Sequence, residues 1–324
     1  MSAELTVSPV SQRRQSIYYL LGAALQGAGA LLVQPFSIRI LDSTQWGRVG
    51  LAAVLLQVGQ VVLSAGLPLA ITKAYFTPKT GPTHARAIHG ANIILSLVLS
   101  LAAAGIYFLI TPDRGAAATF ALAIVATGLL SAVVSSQSVL RSQRKALAFV
   151  ILSGAASLGC HLLGLAAISL IAANSETYLA AFAVGMLATG IAAMTLAPPL
   201  WPSKAWNEVK AAFRLGLPVL PHSLAIMLLM QGDTFLVQHF QDTATAGRYV
   251  SAAAFALGPF SVLAALNNVW TTRIFEASHD SGLKAVIRSV GNNSAAIAAA
   301  LSVAGSTAAA LGMFLLKGID HDVV

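Results

Sequence analysis

Nine apolar runs, each long enough to cross a bilayer, leave this chain few architectures. They occupy approximately residues 16–40, 49–72, 89–111, 116–138, 147–172, 178–198, 216–240, 249–272 and 289–316. A helix needs about 20 residues to span the hydrocarbon core. Within lipid the backbone must satisfy its own hydrogen bonds, and runs this long, rich in Ala, Leu and Gly, do so as helices. The chain is 57% hydrophobic and 9% charged, against about 25% charged in ordinary soluble domains. The expected fold class is therefore all-α, a polytopic membrane protein with about nine transmembrane helices.

A formal charge of +8 invites a nucleic-acid reading, but its distribution argues for topology instead, and no nucleic-acid partner is expected. With the N-terminus in the cytoplasm, fourteen Lys and Arg residues fall on the inner side. Five, Arg39, Arg48, Arg114, Arg248 and Lys317, fall on the outer side. That bias follows the positive-inside rule, and the inverted topology violates it at nearly every loop. The expected location is the cell inner (plasma) membrane, multi-pass, with a cytoplasmic N-terminus. Residues 1–15 are polar and end near Arg13 and Arg14. The run behind them exceeds the apolar core of a signal peptide, so it reads as an uncleaved first span. Cys160 lies within an apolar run, which leaves no disulfide framework or thiolate metal site and suits a small core residue.

The chain also repeats itself. Residues 40–53, ILDSTQWGRVGLAA, match residues 240–253, FQDTATAGRYVSAA, at an offset of 200. Asp42 pairs with Asp242, Gly47–Arg48 with Gly247–Arg248, and Ala52–Ala53 with Ala252–Ala253. Six spans fit within that period, and an even number restores the same orientation. The copies are thus expected to be parallel, related by an axis along the membrane normal. The expected division is a cytoplasmic segment 1–15, a six-helix half 16–198, a basic amphipathic connector 199–215 on the inner surface, and a second half 216–324. The second half holds three spans where a complete bundle needs six. Two expectations follow: a truncated chain, or a reduced protein whose cavity is completed by another subunit.

The stretch from Tyr18 to Phe76 resembles the opening of the polysaccharide-biosynthesis and O-antigen flippases. These belong to the multidrug/oligosaccharidyl-lipid/polysaccharide exporter superfamily. The resemblance rests on Arg39-Ile40-Leu41 ending the first span, Trp46-Gly47 after a short loop, and the Gly66-Leu67 turn. It returns in the second half at Gly216-Leu217-Pro218, Asp233, and Gly247 with Tyr249. The resemblance implies a MATE-like bundle of twelve to fourteen spans whose halves rock around a central cavity. It also implies a polyprenyl-diphosphate-linked oligosaccharide or polysaccharide as cargo, moved from the inner to the outer leaflet. Membrane lipid, that glycan carrier and other polysaccharide-assembly proteins are the implied partners.

Polar side chains inside spans are costly in lipid and are the places to seek a pathway. Asp233, two-thirds along the seventh span, suits a coupling or gating carboxylate, or one satisfied near the outer mouth by water, Arg39 or Arg248. His222 lies eleven residues earlier, beside Pro218 and Pro221. It suits pH sensing or diphosphate contact, or a plain interfacial position. Arg39 has the geometry for a diphosphate, and snorkelling explains it equally. Lys73 and Arg273, again offset by 200, are placed to guide an anionic headgroup or to anchor the inner face. Gln26, Gln34, Gln57, Gln60, Asn267 and Asn268 concentrate in the first, second and eighth spans, where cavity lining and helix–helix glue are the two readings. Pro35 and Pro259 interrupt spans and suit hinges or static kinks.

No enzymatic constellation is present in the sequence. It lacks a P-loop pattern and any His, Cys and carboxylate spacing for a metal, so no cofactor is expected. The expected function is transmembrane export or flipping of a lipid-linked oligosaccharide or polysaccharide by alternating access. The alternatives are a drug/cation antiporter of the same superfamily, or a truncated, non-transporting membrane subunit of an exopolysaccharide assembly system.

Overall fold

The computed structural model describes residues 9–78, 80–253, 266–267, 270–271, 274–275 and 283–316. It is helical throughout. The first part contains α1 (Pro9–Ile40), α2 (Ser43–Ser64), α3 (Leu67–Tyr75), α4 (Gly81–Ile110), α5 (Arg114–Ser142), α6 (Ala146–Gly154), α7 (Cys160–Leu170) and α8 (Ser175–Leu196). There follow α9 (Trp206–Gly216), α10 (Leu220–Phe240), a helical segment at 243–253, and α11 (Leu283–Leu316). Among the described residues six helical stretches are long and apolar enough to cross a membrane: Ser43–Ser64, Gly81–Ile110, Arg114–Ser142, Ala146–Leu170, Ser175–Leu196 and Pro202–Phe240. The chain is a multi-pass, all-helical membrane protein. Most of the expected eighth span, with Pro259, lies outside the described residues.

The repeat has a local cause. Asp42 caps α2 by accepting from the Gln45 amide at 2.8 Å, and Asp242 accepts from the Thr245 amide at 2.6 Å. An Asp at this position satisfies an amide that the first helical turn leaves without an intrahelical partner. Asp113 caps α5 through the amides of Gly115 and Ala116, and Asn174 caps α8 through that of Thr177.

One span differs from its sequence expectation. The run 49–72 is not a single helix, because α2 stops at Ser64 and α3 begins at Leu67. Between them Ala65 (φ 47°) and Gly66 (φ 69°) are left-handed. A Cβ on Gly66 would sit 2.6 Å from the Gly216 carbonyl oxygen, so the turn needs glycine for close approach as well as for φ. Hydropathy runs through this break without a mark.

Helix α5 is the axis of the first part, packed against α4, α8 and α2. Its buried face is polar at intervals. His89 on α4 sits between Ser135 Oγ (2.8 Å) and Ser136 Oγ (3.2 Å), and Gln137 donates to Ser153 Oγ at 3.0 Å. Such pairs join helices where lipid supplies no hydrophobic drive. Helix α1 lies across α6, α7 and the π-helical turn Ala155–Gly159 between them. There Ser157 Oγ donates to the Gln26 carbonyl at 2.8 Å.

The connector is docked. Val209, Ala212 and Gly216 of α9 are buried, with α3 and α4 as its neighbours. Arg86 Nε donates to the Pro198 carbonyl at 2.7 Å, and the Leu200 amide donates to the Arg86 carbonyl at 2.9 Å. The opposite face carries exposed Trp206 and Lys210, the ammonium 5.4 Å from the indole centroid.

Candidate functional site: a polar cavity between the repeat copies

The two repeat copies touch at one end of the bundle. A Cβ on Gly47 would overlap the Thr243 carbonyl, and one on Gly247 would lie 2.7 Å from Gly47 Cα. One turn further, a Cβ on Gly50 would lie 3.3 Å from Val250 Cβ. Trp46 Nε1 donates to Ser251 Oγ at 2.8 Å, and Gln34 Nε2 donates to the Ser251 carbonyl at 3.2 Å. Midway along α2, Gln231 Nε2 on α10 donates to Gln57 Oε1 at 3.0 Å.

Beyond that contact, near the α2–α3 break, a cavity of about 320 Å³ opens between the parts. Its polar lining is Gln60, Ser64 and Thr72 from the α2–α3 region, Arg141 from α5, Ser223 from α10, and Asn267 and Thr271. Val61, Pro68, Leu69, Val134, Val219 and Leu220 supply apolar wall. Among the described residues, hydroxyls, amides and one guanidinium line the space, and no carboxylate does.

Among the described lining residues, Arg141 alone carries a formal charge. It is 8% exposed, in the last turn of α5. One terminal nitrogen donates to Ser138 Oγ at 2.9 Å, and the guanidinium carbon lies 5.5 Å from the Phe149 ring centroid. Its Nε is buried without a hydrogen-bond partner. Neither ion pair among the described residues, Arg48–Asp113 at 3.0 Å or His84–Glu208 at 3.9 Å, involves it. In the sequence Arg141 reads as one of the fourteen inner-side basic charges that set topology. A loop-proximal arginine offers no sign of burial beyond its polar neighbours Ser138 and Ser142.

The sequence-predicted residues divide. Gln60 and Asn267 line the cavity, and Gln60 also donates to Ser64 Oγ at 3.3 Å. Gln34 and Gln57 bridge the two parts nearer the repeat contact. Gln26 is half-buried on α1, its carbonyl engaged by Ser157. Lys73 and His222 are exposed and outside the cavity lining, and Arg39 is exposed at the repeat-contact end. Asn268 and Arg273 lie outside the described residues. Asp233 accepts a hydrogen bond from Tyr249 Oη, so its observed partner is a phenol rather than Arg39 or Arg248. Its other oxygen takes the Thr234 amide at 2.8 Å. Tyr249 entered the sequence reading as a family mark, and its pairing with Asp233 was not anticipated.

At the repeat-contact end the loop carboxyls are tuned. The Ala116 amide, with Arg48 and the Gly115 amide behind it, holds Asp113 below the usual carboxylate value. The Thr245 amide and hydroxyl do the same for Asp242. Among the described residues no three His, Cys, Asp or Glu side chains gather as a metal site.

The fold has a known counterpart. A crystal structure of a MATE protein in the straight conformation superposes with a TM-score of 0.61 at 16% identity, covering 91% of this chain and 70% of that one. No curated protein matches significantly. The family described as "Polysaccharide biosynthesis protein" matches residues 13–277. With that match over most of its length, and with a MATE-like helical bundle, the chain belongs to the polysaccharide biosynthesis protein family.

Proposed function

We propose that the chain exports a lipid-linked oligosaccharide or polysaccharide across the inner membrane by alternating access. The observation that carries this reading is the polar cavity between the two repeat-related parts, together with the close glycine contact at the opposite end. A bundle held shut at one end and hollow at the other is the arrangement that a rocking mechanism requires in one of its states. The hollow end is the one that charge topology assigns to the cytoplasm, the side from which an assembled glycan carrier would enter.

At about 320 Å³ the cavity suits a headgroup rather than a whole glycan. In this reading the headgroup enters first, exposed Lys73 steers it, and Gln60, Ser64 and Asn267 replace water around it. The lipid tail stays in the bilayer, and separation of Gly47 from Gly247 opens the outward path. Asp233, bonded to Tyr249 across α10 and the segment that follows, is the candidate link between protonation and that separation. A cation antiporter calls for carboxylates in the cavity wall, and the described residues of this lining include none.

The test is flux of a labelled polyprenyl-diphosphate oligosaccharide in proteoliposomes containing the full chain. The reading expects translocation above protein-free vesicles, reduced at least tenfold by Ser223→Leu, which fills the cavity. Translocation no faster than in protein-free vesicles would sink it.

A further inference from the structure

Exposed tryptophans beside cations on one helix flank suit a bilayer interface, where indoles sit at headgroup depth and basic side chains meet lipid phosphates. Helix α9 carries such a flank. Trp206, Lys210, Phe213, Arg214 and Leu217 follow the spacing i, i+4, i+7, i+8, i+11, which gathers them within about 100° of arc. Trp206 is 53% and Leu217 50% exposed, Lys210 and Arg214 are exposed, and Phe213 is half-buried at the edge toward the bundle. Val209, Ala212 and Gly216 occupy the buried face. Glu208, the one acid of α9, lies across that face from the stripe, 3.9 Å from His84 on α4. Composition alone places a basic connector at the inner surface. The docking of α9 separates its two flanks, turning the acid toward the protein and leaving aromatic and cationic groups together outside. From this separation we infer that the stripe from Trp206 to Leu217 is a docking surface for anionic phospholipid. The leaflet concerned is the one on the connector's side, which charge topology assigns to the cytoplasm.

Two features favour lipid over an acidic protein segment as the occupant. The stripe leads directly into α10, within the apolar stretch Pro202–Phe240, so its Leu217 end meets the edge of the bilayer. A soluble acidic partner would answer Lys210 and Arg214 but has no need of Trp206 and Leu217, whereas a headgroup layer accepts both kinds of side chain. Lys210 holds its ammonium 5.4 Å from the Trp206 ring centroid, so cation and indole are presented as one unit. Trp201, 68% exposed, and exposed Lys204 carry the same composition upstream.

None of the stripe residues lines the cavity, so lipid held here is a neighbour of the bundle rather than its cargo. The anchor still bears on the cavity at one remove. Helix α9 ends at Gly216, where an added Cβ would overlap the Ala65 carbonyl oxygen. A displacement of the stripe is therefore felt at the α2–α3 break, because close-packed backbones transmit it.

The test needs no transport, so its result stands apart from the export reading. The full chain is placed in nanodiscs containing brominated phosphatidylglycerol or brominated phosphatidylcholine, and quenching of indole fluorescence is measured. Subtracting the signal of Trp206→Phe isolates Trp206 from the other three tryptophans. The anionic lipid is expected to be favoured around Trp206 by about threefold or more at low salt. The double variant Lys210→Gln, Arg214→Gln should bring that preference close to one. Raising NaCl from about 0.05 M to about 0.5 M should lower it in the wild type too, which decides the question if the double variant does not fold. Equal quenching by the two lipids, or a preference that survives both the double variant and salt, would overturn the inference. So would the absence of quenching at Trp206, which would turn the stripe toward water and an acidic protein partner.

Discussion

Gly47 and Gly247, equivalent positions of a repeat offset by 200 residues, lie against each other, so that a Cβ on Gly247 would fall 2.7 Å from Gly47 Cα. The repeat is therefore an interface as well as a sign of duplication. The same glycine is needed twice because each copy is the surface against which the other packs.

Substituting either glycine should loosen that contact. Gly247→Val is expected to destabilise the chain by about 1–3 kcal/mol, the usual cost of overpacking. Gly105→Ala, where an added Cβ meets nothing within 4 Å, is expected to be neutral or to stabilise by about 0.5–1 kcal/mol. Thermal unfolding in detergent checks both, and equal Tm values for the two variants would contradict the packing account.

The Asp233–Tyr249 hydrogen bond should behave as a unit. Asp233→Asn and Tyr249→Phe are each expected to cost about 1 kcal/mol. The double variant should fall short of their sum, since contacting residues do not add. A double-mutant cycle on unfolding measures this, and strict additivity would show that the pair is not coupled.

Acid should weaken the loop caps. Asp113 and Asp242 carry folded-state values below the ordinary 3.8, owing first to the Ala116 and Thr245 amides respectively. A lowered value means the carboxylate's stabilisation is complete above the unfolded value and is lost as pH falls through the folded one. Amide exchange in the first turn of α5, corrected for intrinsic rate, should therefore stay slow above about pH 4 and accelerate below it. In Asp113→Asn that acid-dependent step should shrink. An unchanged step would remove the cap's role.

Much of this architecture was legible in advance. Apolar runs of about 20 residues force helices in lipid, and those in α4, α5 and α8 lie where the hydropathy put them. The Asp-to-Gly repeat marked equivalent places, although one-dimensional spacing could not reveal that Gly47 and Gly247 face each other. The resemblance marked the Gly66-Leu67 turn, yet the 49–72 run was drawn through it undivided, because left-handed φ values leave composition apolar. Arg141 escaped for a related reason. At the end of a span an arginine looks the same whether it snorkels to water or turns inward, and only the placement of Phe149, Ser138 and the cavity separates the two. Gln60 and Asn267 were found because an amide within an apolar run stands out by itself.

The central claim is that the two repeat-related parts must separate at their glycine contact for cargo to cross. Gly50 and Val250 permit a direct measurement, because a Cβ on Gly50 would lie 3.3 Å from Val250 Cβ, near the separation a disulfide requires. In a Cys160→Ala background, Gly50→Cys with Val250→Cys can be oxidised in proteoliposomes and assayed for flux of a labelled polyprenyl-diphosphate oligosaccharide. The account predicts at least a tenfold loss on oxidation and recovery with dithiothreitol. Undiminished flux through the cross-linked chain would contradict it.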